Sequence, residues 1–385
     1  MIAYNAGWLK NLAIRNESES AFHEQCILKE ELDAVYKKYQ VGFYTPNIFI
    51  AVGLFILTLI ILLLSFGLFA LLFMSASEKS YSYLAIVFAV ACYAVLEIMI
   101  SKKRHYQSGV DTGLLWVASL ALFAGISFLN DFGDIANGIL VFMISLAGLI
   151  RYADRLLAVC MYFSFLSVLF FSCIQLGTTA KALAPFVIMI VSLAICLFIM
   201  QYKSRENIFQ YKNCMTLIEV SSLISLYAAG NYFIVSELSN EMFNLQLQPG
   251  ETIPFGWIYW IFTILVPPVY LLFGIRKKNM ILIRTGLILL AAIVFTIRYY
   301  HTILPVEYVM SIAGIIILPA AYLLLKRLQD PVYGFTSKEV ISKSEIDKLQ
   351  LESLLLAQTF KPGIDQDATN FGGGSFGGGG ASADY

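Results

Sequence analysis

The sequence predicts an all-α fold: a polytopic integral membrane protein of about ten transmembrane helices, with its N-terminus and C-terminus in the cytoplasm. Three observations carry this expectation. Of 385 residues, 59% are hydrophobic and 14% charged, against about 45–50% apolar and about 25% charged in ordinary soluble domains. The mean hydropathy of +0.74 fits a chain that uses lipid as its solvent. The apolar residues fall in long runs whose intervening loops alternate between basic and almost free of basic residues. With 26 basic and 26 acidic side chains the net charge is zero, which removes bulk attraction to nucleic acid as an expectation.

The runs lie at 48–74, 81–100, 113–129, 135–150, 156–175, 183–200, 214–235, 257–275, 280–297 and 308–325. Each is near the roughly 20 residues an α-helix needs to cross about 30 Å of hydrocarbon. Lipid offers no hydrogen bonds to the backbone, and these continuous runs lack the alternating segments of a barrel, so each run is expected to be a helix.

Loop charge sets the orientation. Basic residues gather in the N-terminal segment, in the 101–112, 151–155, 201–213 and 276–279 loops, and after 325. The alternate loops hold only Lys79, Lys181 and Arg298, while Arg284 lies inside a run. An error of one span would swap every later loop and destroy this asymmetry, so an even number of spans and cytoplasmic termini are expected.

The chain divides into a cytoplasmic helical hairpin (1–47), the bundle (48–325), a cytoplasmic amphipathic helix region (326–360) and a disordered Gly/Phe-rich tail (361–385). The first 47 residues, with Glu17, Glu19, Glu24 and Lys29 among many charges, are too polar for a cleavable signal peptide. Leu28, Leu32, Val35, Tyr36 and Tyr39 recur with helical spacing, and Trp8, Leu9 and Leu12 mark a helix before them. Ile346, Leu349, Leu355 and Leu356 give the later cytoplasmic helix one apolar face, and Ser344 is placed to cap it. The 371–380 stretch, FGGGSFGGGG, is too rich in glycine to hold a fold, though its two phenylalanines suit a short recognition element.

The segment ILKEELDAVYKKYQ followed by a long apolar span resembles the bacterial membrane-protein family catalogued as domain of unknown function 2157. The end of the chain, FGGGSFGGGGASADY, is similar to the glycine-rich C-termini of bacterial membrane proteins of the TPM-domain type. The resemblance implies a multi-pass protein of the bacterial inner membrane and supplies no catalytic residue.

Ionisable groups at membrane depth are costly and point to function. Glu97, Glu219 and Arg284 are the intramembrane candidates, each expected within one or two turns of the cytoplasmic face. They offer an ion pair, a proton-carrying carboxylate, or side chains that only snorkel to the interface. Pro267 and Pro268 in the eighth run and Pro319 in the tenth are candidate helix kinks, of the sort that line transport sites. On the outer side, Asp131 and Asp134 are spaced to hold a cation weakly, and Arg298 with His301 marks an interfacial belt. The six cysteines lack metal-ligand spacing and read as packing residues. No HExxH, GxSxG or phosphate-binding glycine loop occurs, so no enzyme activity, cofactor or metal is expected.

Two functions remain open. One is a structural or assembly component of the bacterial envelope that contacts lipid and docks a protein partner through its cytoplasmic helices or the 371–380 tail. The other is a secondary transporter or channel for a small solute or proton, using Glu97, Glu219, Arg284 and the Pro267-Pro268 kink. The sparse set of intramembrane polar residues favours the first.

Overall fold

The computed structural model describes residues 2–23, 25–72, 78–203, 206–243 and 256–300, with isolated helical positions between 311 and 327. Two short helices, α1 (Ala6–His23) and α2 (Lys29–Lys38), form the N-terminal hairpin. The long apolar runs then become α3 (Ile48–Leu72), α4 (Glu78–Ser101), α5 (Val110–Asn130), α6 (Asp134–Tyr152), α7 (Arg155–Gln175) and α8 (Thr178–Tyr202). A 3-10 turn at Glu206–Tyr211 leads into α9 (Lys212–Gly230), α10 (Tyr232–Phe243), α11 (Gly256–Lys277) and α12 (Met280–Tyr300). Among the described residues there is no strand, only an isolated bridge between Tyr44 and His105.

Eight of these helices are long and apolar enough to cross a membrane, and the bent pair formed by α9 and α10 makes nine. The chain is therefore a helical, membrane-embedded protein with several spans. The expected tenth span, 308–325, lies outside the described residues except for single helical positions, Pro319 among them. The 326–360 helix, the 361–385 tail and His301 also lie outside.

Packing is closest within four antiparallel pairs, α4 with α5, α6 with α7, α8 with α9 and α11 with α12. The connections inside these pairs are the basic loops. Hydrogen bonds tie them together at one end of the bundle, hereafter the basic end. The Tyr211 hydroxyl donates to the Ile150 carbonyl at 2.7 Å, and the Cys214 thiol lies 3.0 Å from the Ala153 carbonyl. The Asn279 side chain reaches Glu219 at 3.4 Å.

The N-terminal hairpin docks on this same end. Its two helices hold each other through Arg15, whose guanidinium donates to the Tyr36 carbonyl at 2.6 Å and lies 4.7 Å over the Tyr36 ring. The Ala3 N–H donates to the Arg151 carbonyl at 2.7 Å, and Tyr4 and Leu9 are buried beside Leu96, Leu114 and Tyr152. Arg104 covers the Trp8 ring at 5.0 Å, and Tyr44 exchanges backbone hydrogen bonds with the 104–106 turn. The hairpin is thus an integral cap on the bundle, stapled by aromatic and backbone contacts.

Helix α3 stands at the margin, with most of its large apolar side chains exposed. It meets the bundle where its Ala51 and Phe55 run against Gly109, whose φ of +91° suits only glycine, and where Thr58 faces Gly113. A side chain at Gly109 would collide with the Ala51 carbonyl oxygen.

Candidate functional site

The proposed intramembrane residues separate into three environments. Glu97, near the end of α4, is held by Arg151 at the end of α6: the guanidinium Nε and a terminal nitrogen each donate to the carboxylate at 3.0 Å. The Tyr152 hydroxyl adds a bond of 2.8 Å. The expected partner, Arg284, is not part of this cluster. Its place is taken by Arg151, which the sequence offers only as a loop charge. The two side chains are 40% and 46% exposed, so this is a surface clamp between helix pairs. Exposed pairs typically contribute at most about 1 kcal/mol. Arg151→Gln is accordingly expected to lower the thermal midpoint by no more than a few degrees, measured by a melt of the detergent-solubilised protein.

Glu219 differs. Seven residues into α9 it is 2% exposed, with the Lys203 ammonium at 2.9 Å and Asn279 completing its surroundings. Lys203 comes from the C-terminus of α8 and Asn279 from the turn between α11 and α12, so two connections converge on one carboxylate of α9. Arg284 lies on the exposed side of α12 and joins neither group.

Beyond Glu219, α9 carries further buried polar residues, Ser221, Ser222, Ser225 and Tyr227, distributed around the helix, which is packed on several sides. Across from it the Tyr162 hydroxyl donates to Ser192 at 3.0 Å, and both are buried. At Asn231 the span breaks and turns by 66° into α10. The local sequence explains the break. Gly230 has no side chain, and a Cβ there would press on Phe262 at 3.3 Å. Asn231 has an extended ψ of 127°, and its side-chain oxygen accepts the Ile234 N–H at 3.2 Å, so it caps the start of α10. Its side-chain nitrogen donates to Tyr227 and Thr296, both at 3.0 Å. The Tyr232 N–H, freed by the break, donates to Thr263 at 2.9 Å. The break sits about 27 Å along the axis from Lys212, at 1.5 Å per residue.

The remaining candidates fall elsewhere. Helix α11 runs through Pro267 and Pro268 as one helix, with Pro267 fully buried. The broken span among the described residues is the α9–α10 pair, bent by 66° at Asn231. Asp131 is the left-handed C-cap of α5 and Asp134 opens α6; both are exposed. Their turn is closed by Asn137, which donates to the Phe132 carbonyl at 2.9 Å and pairs with Ser127 at 2.7 Å. No cluster of potential metal ligands occurs among the described residues. Arg298 ends α12 exposed, next to Tyr299, whose hydroxyl bonds Glu237 at 3.3 Å.

At the basic end the hairpins are fastened by two carboxylates that the sequence reading passed over. Asp111 is 3% exposed and accepts the Gln107 and Ser108 N–H groups at 2.8 and 2.9 Å, the Ser108 hydroxyl at 3.0 Å and the Tyr4 hydroxyl at 3.3 Å. Burial, and then the charge of Asp111, raise the Tyr4 phenol well above its usual value, so it remains a proton donor. Asp154 caps α7 through the Leu157 N–H at 2.9 Å and takes the Trp116 indole N–H at 3.2 Å. An acidic residue just before or within the first turn of a predicted helix was the available signal for both.

Comparison with known protein families, with characterised proteins and with solved structures gave no match.

Proposed function

We propose that the chain is a multi-pass protein of the bacterial inner membrane that moves a proton, or a small polar solute coupled to one, past the buried polar residues of α9. The basic end faces the cytoplasm in this reading, in keeping with the distribution of Lys and Arg over the loops. The observation that carries it is the broken α9–α10 span, with the buried carboxylate of Glu219 in its first half and Asn231 at the break. The break falls near the face opposite the basic end, and Thr263 and Thr296 supply partners for the groups it frees. Glu219 provides a buried carboxylate that is held by one cation, Lys203, from the end of α8. Glu97, exposed and clamped, is assigned a structural part.

The test is proton flux in liposomes carrying a trapped pH-sensitive dye, driven by a potassium diffusion potential. Glu219→Gln is expected to abolish the flux that the intact protein supports, while Glu97→Gln leaves most of it. Flux unaltered by Glu219→Gln removes this carboxylate from the path and overturns the reading.

One observation favours the alternative, an assembly component of the envelope. Helix α2 has no buried residue, and Leu28 at its start is 70% exposed, which leaves a surface for a partner. The Tyr36 side of α2 is already engaged by Arg15 of α1, however, so the hairpin spends part of its recognition surface on itself. Substituting Leu28→Glu and comparing the proteins that co-purify from native membranes decides this point. An unchanged set of partners excludes docking through α2.

A further inference from the structure

Two adjoining cavities at the basic end share Trp116 and Leu156 as a common wall. The first, about 220 Å³, lies between the 106–112 segment and the α6–α7 turn, with Tyr4 closing one side. Its polar lining includes Gln107, Asp154 and Arg155. The second, about 440 Å³, runs beneath it along α5, α6 and α7 and is almost wholly apolar. Trp116, Ser119, Leu120 and Phe123 line it from α5 at spacings that make one helix face. Phe123 is thirteen residues beyond Val110, about 20 Å into the span, so the groove extends from the interface well into hydrocarbon depth. Leu120 at 68% and Leu156 at 40% exposure show that the groove opens sideways, toward lipid.

We propose that these two cavities form one site for a zwitterionic, amine-bearing phospholipid taken from the leaflet at the basic end. The shape is that of an amphiphile: a polar pocket at interface level beside an apolar slot inside the membrane, with Trp116 and Leu156 between them. Charge selects the head. Arg155 makes no ion pair among the described residues, and its guanidinium at the pocket wall suits a phosphate, which it can meet with two parallel donors. Two carboxylates share the same lining. Asp111 is saturated by four donors, whereas Asp154 uses its Oδ1 for Trp116 and Leu157 and keeps a second oxygen to accept an ammonium. The aromatic faces of Tyr106 and Trp116 favour a cation beside them. An anionic head with no amine would leave its extra charge facing these carboxylates. The site shares no residue with α9 and does not depend on the transport reading.

Native mass spectrometry of delipidated protein tests the proposal. The probes are palmitoyl-oleoyl phosphatidylethanolamine, phosphatidylglycerol with the same chains, and glycerophosphoethanolamine, the head without chains. One phosphatidylethanolamine is expected to bind about tenfold more tightly than phosphatidylglycerol. Arg155→Gln, on an exposed side chain, should lower that affinity about tenfold, and Leu120→Trp, which fills the groove from its lipid-facing rim, should lower it as well. The head alone should bind far more weakly than the lipid. Equal binding of the two lipids, or unchanged affinity in both variants, overturns the site. Tight binding of the head alone would show a pocket for a soluble phosphate ester and overturn the lipid assignment.

Discussion

Gly109→Ala is expected to destabilise the protein by more than about 4 kcal/mol, beyond the usual range for a single substitution. Two independent penalties meet at this position. The backbone φ of +91° excludes a β-carbon on conformational grounds, and the added atom would also overlap the Ala51 carbonyl oxygen of α3. Neither obstacle can be relieved by a side-chain rotation, because the colliding atom is backbone. Accommodation would require α3 to withdraw from the start of α5, and its few other contacts give it little reason to remain. Gly53→Ala and Gly133→Ala, where a β-carbon meets nothing within 4 Å, serve as controls and should fold normally. The measurement is the yield of monodisperse protein in mild detergent and its thermal midpoint. A Gly109→Ala protein with native yield and midpoint would mean that α3 does not pack against α5 as described.

Lys203→Met should cost about 3–5 kcal/mol, because it strands the carboxylate of Glu219 without its cation at a position 2% exposed. Asn279, at 3.4 Å, cannot replace a charge. Adding Glu219→Gln to the same protein is expected to restore most of the lost stability, since the double variant buries no charge. This cycle separates the energetic role of the pair from its part in flux: the double variant folds and yet does not conduct. If Lys203→Met melts like the intact protein, the ion pair contributes nothing to holding α8 against α9.

Much of the fold was legible because hydropathy and loop charge report directly on the solvent each residue meets. The run at 113–129 became α5 and that at 156–175 became α7 with ends displaced by only a few residues. The break inside the 214–235 run was not, because Gly230 and Asn231 dilute an apolar window too little to split it. The proline pair at 267–268 pulled in the opposite direction. Proline removes a donor, yet α11 continues through both as one helix. For the site, burial of Glu219 follows from its place in an apolar run, whereas its partners do not. Lys203 and Asn279 are 16 and 60 residues away, and only the pairing of helices brings them together. The same holds for Arg151, 54 residues from Glu97. Membrane depth can be read from one segment, while contact needs the order in which segments stand side by side.

The uneven packing of the bundle has a mechanical consequence. Four close helix pairs are riveted to one another at the basic end, where their connections exchange hydrogen bonds and the N-terminal hairpin lies across them. At the opposite end the bent span is pinned as well: Asn231 bonds Thr296 of α12, and the Tyr232 N–H bonds Thr263 of α11. Fastened at both ends, α9, α10, α11 and α12 travel as one block, and the hinge for any large motion falls at the seams between that block and its neighbours.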